Sequence, residues 1–298
     1  MNKQSIPSLY TIIFATSFVI LFITRPIFSH DSFPLLKFHG TFETLSKIQE
    51  IIEKKEKGAY LRFGDGDINL ALGQGELLQS ANQRLMFEMR EAFSLDHKNV
   101  LRCLPLYCKE LGGWESGMFP GNHESPYSWC LDILHKSKQL WNSPIIDVYS
   151  HAALHFSATT MPQFCINFLK FLKTNNCCLL IGNQNIPEHI RTLLFGEQCI
   201  FIPTPTHQSY QSIDTIEKEC LAHVAIMPTK TYKIIVTAMG CSGRALQKRL
   251  WMKLDDVFLF DFGSLMDALC GWNTRAWIEL TKFDEKTFLQ KLEQSLTT

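Results

Sequence analysis

In the second half of the chain, short unbroken apolar runs alternate with longer segments whose apolar residues recur every three or four positions. The runs at 178–181, 199–203, 233–238 and 257–260 read as strands, and the segments at 161–173, 187–195, 210–225 and 243–252 read as helices. Continuous apolar strands separated by helices of roughly 10–15 residues predict a parallel sheet covered on both faces. The first half is less regular. Leu45, Ile48, Ile51 and Ile52 predict a helix over 42–57, with Thr41 as its cap and Gly58 as its stop. A strand is expected at 59–63. An amphipathic helix over 81–93 carries Leu85, Met86, Met89 and Phe93 on one side. Strands at 100–104 and 145–149 flank a polar and aromatic loop at 112–126 and a helix over 128–140. No internal repeat or low-complexity linker interrupts the pattern, so one α/β domain over residues 31–298 is the simplest account.

The N-terminus breaks the pattern. Residues 10–24 are almost wholly apolar, with Lys3 before them and Arg25 after. Counted from Ile6, the stretch approaches the roughly 17–25 residues that span a bilayer. A single-pass membrane anchor within residues 1–30 is the expectation, and a cleaved signal peptide is its rival, with Ile27-Phe28-Ser29 a poor cleavage site. The flanking charges nearly balance, so the sequence does not orient the anchor. Residues 30–40 read as a short stem.

Composition narrows the function. The chain has 298 residues, 46% hydrophobic and 19% charged, and its 29 Lys+Arg balance its 29 Asp+Glu. A neutral chain lacks the basic footprint expected when nucleic acid is the main partner. The ten cysteines form no CxxC pair, so zinc has little support and buried thiols are the plain reading.

The chemistry concentrates at predicted strand ends, where open α/β sheets bind ligands. Arg62-Phe63-Gly64-Asp65-Gly66-Asp67 follows the strand at 59–63. Two carboxylates one residue apart between glycines can share a hard divalent cation, Mg²⁺ or Mn²⁺, that leaves room for substrate phosphates. The same residues also make a good turn with no ligand. Further along, Ile181-Gly182-Asn183, Pro203-Thr204-Pro205-Thr206-His207, and Met239-Gly240-Cys241-Ser242-Gly243-Arg244 each join a strand to a helix. The last opens a helix whose free amides suit a phosphate, with Arg244 able to add a charge-assisted contact. It is neither a GxGxxG fingerprint nor a Walker A loop. Phe260-Asp261-Phe262-Gly263-Ser264 places Asp261 where a sugar hydroxyl can be read. His151 and His155 stand at i, i+4 without a third ligand and read as an ordinary partly buried pair. The loop at 112–126 is either a lid or a solvated insertion.

Taken together, these motifs resemble the GT-D-fold glycosyltransferases, a family once classed as a domain of unknown function. The resemblance rests on Arg62 to Asp67, Ile181-Gly182-Asn183, Ile202-Pro203-Thr204-Pro205, Val236 to Gly240, Asp261-Phe262-Gly263-Ser264 and Gly271 to Arg275, in that order. It covers roughly residues 42–280. It implies a single Rossmann-like domain that moves a sugar from a nucleotide sugar, a UDP-sugar, to a glycan or glycoconjugate hydroxyl. It also implies that Asp65 and Asp67 hold a divalent metal on the donor diphosphate. The family has Glu where this chain has Asp67, one methylene shorter.

On this reading the departing diphosphate needs cationic stabilisation, for which Arg62 and Arg244 are candidates. Arg62 can equally pair with a core carboxylate. The donor-binding set is Arg62, Gly64, Gly182, Asn183, Gly240, Ser242, Arg244 and Asp261. A base for the acceptor hydroxyl is sought among Glu115, His123, Glu124 and His207. The rivals are a membrane-tethered nucleotide-sugar-binding protein without catalysis and an Asp-nucleophile phosphatase. Asn69 and Gly64 count against the phosphatase.

Overall fold

Strands β2 (Gly58–Arg62) and β8 (Val257–Asp261) are buried along their whole length, as unbroken apolar runs require of strands covered from both sides. The computed structural model describes residues 36–76, 79–116, 124–141, 146–175, 177–228 and 231–297. The remaining strands are β1 (Leu36–His39), β3 (Val100–Leu104), β4 (Ile146–Ser150), β5 (Cys177–Asn183), β6 (Ile200–Thr204) and β7 (Lys233–Ala238). The eight form one sheet in the order β1-β4-β3-β2-β8-β7-β5-β6. Every pairing is parallel.

Two helical layers cover it. The helices Thr41–Glu53, Ala153–Thr160, Pro162–Thr174, Glu188–Phe195, Leu265–Leu269 and Glu285–Thr297 pack on one another in one layer. Asp65–Ala71, Gln83–Phe93, Tyr127–Lys138, Ile213–Ala225 and Ser242–Trp251 form the other. Alternate strand residues face each layer. Tyr60, Leu180, Val236, Phe258 and Phe260 join Leu45, Ile48, Phe168 and Leu169 in one core cluster. Aromatic packing binds it, with Tyr60 stacked on Phe260 at 5.3 Å and Phe168 tilted against Phe260 at 5.8 Å between ring centroids. Helix Thr41–Glu53 buries Leu45, Ile48, Ile51 and Ile52, the residues its spacing placed on one face.

Some expectations need correction. Residues 36–39, read as part of a stem, are the edge strand β1, with Leu36 opposite Ile146 and His39 opposite Tyr149. Four residues with polar Lys37 and His39 carry no strand signal of their own; pairing with β4 makes the strand, and the His39 ring stacks on Tyr149 at 4.3 Å. The Asp65-Gly66-Asp67 stretch is no turn but the start of the helix Asp65–Ala71. Gly64 caps that helix in extended conformation, and the Asp67 carboxylate accepts the Gly64 N–H at 2.9 Å, the half of a capping box that the third helical residue supplies. The segment from Ser209 opens as a 3-10 turn and becomes α-helical at Ile213. The helices Leu265–Leu269, Ala276–Thr281 and Glu285–Thr297 were not anticipated. The expected N-terminal anchor and His123 lie outside the described residues. Among the described residues no helix is long and apolar enough to cross a membrane.

Candidate functional site

The chain leaves β2 and β7 toward one helical layer and β8 toward the other. Where neighbouring strands send their connections to opposite faces, a crevice opens at their carboxyl ends. A cleft lies there, in two adjoining lobes. The larger, about 480 Å³, is floored by the ends of β2 and β8 and walled by Tyr107, Trp129, His151, His155 and Trp277. The smaller, about 320 Å³, lies over β7, β5 and β6 and meets Asn183, Thr206, His207 and Trp272. Glu76, Gly240, Cys241, Asp267 and Arg275 belong to both.

Beneath the larger lobe four charged residues form a buried knot. Arg62 ends β2, Asp261 ends β8, Asp67 lies in the helix after β2, and Arg244 lies in the first turn of Ser242–Trp251. Each is at most 6% exposed. Arg244 Nη1 lies 3.0 Å from Asp261 Oδ2 and its Nε 3.4 Å from Asp67 Oδ1. Arg244 also donates to the carbonyls of Arg62 and Gly240. Arg62 Nε donates to the His151 carbonyl at 2.8 Å, and its Nη1 lies 3.9 Å from Asp261 Oδ2. Asp261 accepts the Gly263 N–H at 3.1 Å. Gly263 is in the left-handed region, φ +63°, and a Cβ there would stand 1.3 Å from Arg62 Nη1, so the guanidinium occupies the space a side chain would need.

The knot shifts the titration of its members and neighbours. Burial raises the Asp67 carboxyl, with Arg244 pulling the other way. Burial opposes the charge on Arg244, but Asp261 and Asp67 hold its pKa above the usual range. Burial, then Arg62, pushes His151 well down, and the same pair of causes pushes His155 down to about 3. Both imidazoles are therefore neutral at physiological pH. His151 Nδ1 meets the Tyr107 hydroxyl at 2.7 Å, and His155 stacks on Trp277 at 4.9 Å.

The sequence candidates separate into three groups. Arg62, Gly64, Asp65, Asp67, Gly240, Arg244 and Asp261 come together in the larger lobe; Asn183, Gly240, Ser242 and His207 line the smaller. Some of these have structural work. Arg62 pairs with a core carboxylate, as its alternative reading held. Ser242 is 1% exposed, and its Oγ is held by Ser209 and Gln79. The Gly243 and Arg244 amides already bond to the carbonyls of Gly240 and Cys241, so they are not free for a phosphate. Gly182 is a packing position: a Cβ there would come within 2.8 Å of Ile186 and 3.2 Å of the Ala238 carbonyl. Glu115 lies outside the cleft. It caps the helix Thr41–Glu53, accepting from Thr41 N at 2.9 Å and Thr41 Oγ1 at 2.6 Å. Glu124 accepts from Lys109 N at 2.7 Å.

Sequence reasoning missed Glu76, Tyr107, Trp129 and Trp277 as lining residues, noted Asp267 and Arg275 near the last strand-end motifs without giving them a role, and took His151 and His155 for bystanders. The pairing of His151 with a residue 44 positions away leaves no local signal. Arg275 closes the last glycine motif and Trp277 lies two residues beyond it, where a strand-end argument extended by one loop reaches both.

A family model for the glycosyltransferase GT-D fold matches residues 60–276, and the chain belongs to that family. Three solved structures share the fold. A glycosyltransferase of the domain of unknown function 1792 from Streptococcus sanguinis superposes with a TM-score of 0.56 at 18% identity, covering 78% of this chain and 82% of the other. A selenomethionine-substituted structure of domain 1792 gives 0.53 at 17% identity, covering 78% and 79%. A third, described as domain 1792 with a distinct glycosyltransferase fold, gives 0.51 at 17%, covering 75% and 77%. No curated protein matches the chain.

Proposed function

We propose that this glycosyltransferase takes its sugar from a UDP-sugar and passes it to a hydroxyl of a glycan or glycoconjugate, with a divalent cation, Mn²⁺ or Mg²⁺, on the donor diphosphate. The observation that carries the cation is the charge of the cleft. Five carboxylates, Asp65, Asp67, Glu76, Asp261 and Asp267, face three guanidiniums, Arg62, Arg244 and Arg275, across the larger lobe. Arg62 and Arg244 are tied to Asp67 and Asp261, so the uncommitted charge is mostly negative. A diphosphate entering such a cleft meets repulsion that a hard cation on carboxylate oxygens relieves.

The residues fit such an ion. Asp67 Oδ1 is buried with no hydrogen-bond partner, and Asp65 stands exposed two residues earlier on the same helix start. Asp65 and Asp67 would hold the cation, with diphosphate oxygens completing its shell. Among the described residues no three His, Cys, Asp or Glu side chains are grouped closely enough to hold a metal alone, which favours binding together with the donor. When bound, the ion would stabilise the charge that develops on the leaving diphosphate.

The chain's own residues supply position. The smaller lobe, with Trp272, His207 and Asn183, suits the nucleoside. Arg275, exposed at the seam of the lobes, suits the diphosphate better than the two tied arginines. The larger lobe, walled by Tyr107, Trp129 and Trp277, suits the transferred sugar and its acceptor, since sugars stack on aromatic faces while their hydroxyls find polar groups. The expected membrane anchor belongs to the same proposal, placing the domain beside a membrane-borne acceptor.

The test is UDP release from a panel of UDP-sugars with and without Mn²⁺. Metal-dependent release with one sugar supports the reading and identifies the donor. UDP-sugar binding without release, in the presence of candidate acceptors, favours the non-catalytic binding protein. The family match leaves the phosphatase reading without an observation in its favour.

A further inference from the structure

The proposed transfer needs a group to take the proton from the acceptor hydroxyl. Glu115 and Glu124 are committed to backbone amides outside the cleft, and His207 stands in the nucleoside lobe. Within the cleft most acids are also engaged. Asp67 and Asp261 belong to the knot, Asp267 accepts from Thr274 Oγ1 at 2.6 Å, and Asp65 accepts the N–H of its neighbour Gly66 at 2.9 Å. His151, kept neutral far below its usual pKa, is a weak base, and the Tyr107 hydroxyl already occupies its Nδ1.

Glu76 is different. Its Oε1 is buried without a hydrogen-bond partner. Its side chain lies over Gly66, between the two aspartates: a Cβ on Gly66 would be 3.4 Å from Glu76 Cβ and 3.7 Å from its Oε2. It lines both lobes, so it stands at their seam. The surrounding framework fixes it there. Glu76 and Gln79 bond to each other's backbone, and Gln79 is 3% exposed. Gln79 Oε1 accepts from Ser242 Oγ at 2.9 Å and Tyr210 N at 3.3 Å, while its Nε2 donates to Gln208 Oε1 at 3.0 Å. A carboxylate left unsatisfied and bonded through its backbone to so firmly held a residue as Gln79 is what a proton acceptor requires.

We infer that Glu76 is the general base of the transfer, an inference that rests on the transferase reading above. Its carboxylate takes the hydroxyl proton as the acceptor oxygen bonds to the anomeric carbon. The bond from that carbon to the diphosphate oxygen breaks, and its electron pair leaves with UDP. Glu76 ends protonated and returns the proton to solvent. The charged and titratable groups that share the larger lobe with it are Arg62 from β2, Asp65 and Asp67 from the helix after it, Tyr107, His151 and His155 from the wall, Cys241 and Arg244 from the segment after β7, Asp261 from β8, and Asp267 and Arg275 from the C-terminal segment.

The experiment compares the full chain with Glu76→Gln, which keeps shape and removes basicity, in UDP release from the active UDP-sugar, water serving as acceptor if no other is known. UDP affinity in Mn²⁺ is measured by calorimetry alongside. The expected result is a rate lower by about 10²–10⁴-fold, with UDP affinity unchanged and the acid limb of the pH–rate profile flattened. A near wild-type rate overturns the inference. So does a loss of UDP affinity that accounts for the loss of rate, which makes Glu76 a donor or cation ligand. If the wild-type chain releases no UDP from any donor, the transferase reading fails and takes this inference with it.

Discussion

The floor and the rim of the cleft use the same residue types to opposite ends. In the floor, Arg62, Asp67, Arg244 and Asp261 neutralise one another out of water and tie the ends of β2 and β8 to the helix that follows β7. On the rim, Asp65, Glu76 and Arg275 face the opening, and among the described residues no side-chain ion pair holds them. Charge in the floor is mostly architecture, with Asp67 Oδ1 the floor oxygen left to the proposed cation, and charge on the rim is available to a ligand. A motif such as Arg62 to Asp67 therefore mixes both roles within six residues: Arg62 is pinned, Asp67 is pinned through Oδ2 but keeps Oδ1 for the proposed cation, and Asp65 between them is exposed.

That contrast can be broken or sharpened by substitution. Arg244→Leu strands two buried carboxylates, and an unpaired buried charge costs about 3–5 kcal/mol; chemical denaturation should show a loss of that size. Stability should also fall in acid. His155 is held down to about 3, against roughly 6.5 in an unfolded chain. Above that value neither state binds the proton and nothing is lost. As pH drops below it, the unfolded chain takes the proton and the folded one does not, so this group removes about 1.4 kcal/mol per pH unit. His155→Phe keeps the stack on Trp277 and should shallow the slope of stability against pH between about 6.5 and 3. Glu115→Gln weakens a helix cap and should cost about 0.5–2 kcal/mol while leaving UDP release intact, since Glu115 is outside the cleft. Asp65→Ala should change stability least, by no more than about 0.5 kcal/mol, yet abolish Mn²⁺-dependent UDP binding measured by calorimetry. A large stability loss in Asp65→Ala, or none in Arg244→Leu, would erase the distinction between floor and rim.

The sheet was legible because its strands are buried on both faces, and burial on both faces is written directly as apolar runs. Strands β3 and β7 fall on the residues the pattern assigned. β1 was not legible, because it owes its existence to β4 and not to its own side chains. The helix Glu285–Thr297 left a readable trace that went unused: Phe288 and Leu292 lie four apart and buried, and Asp284 bonds Thr287 N at 3.0 Å. In the site, the strand-end motifs found the right loops but not the division of labour within them. Whether Arg244 faces a phosphate or two carboxylates depends on Asp67 and Asp261, which the sequence holds far from it. Glu76 escaped notice because its place follows from the burial of Gln79, and a glutamine after Gly-Glu-Leu-Leu says nothing of depth.

The position of β8 has a consequence for how the molecule comes into being. β8 lies between β2 and β7 and alone joins the half-sheet β1-β4-β3-β2 to the half-sheet β7-β5-β6. It is also the last of the described strands, pairing Phe258 with Gly58. A nascent chain emerging from its N-terminus therefore carries two separate half-sheets, each with an open edge, until the final strand arrives. Pairings of such long sequence separation form late and slowly, and exposed edges invite association while they wait. Arg62 meets Asp261 only at that moment. Folding thus withholds the floor of the cleft until β8 has been made, so products truncated before it carry most motifs of a transferase without its binding site.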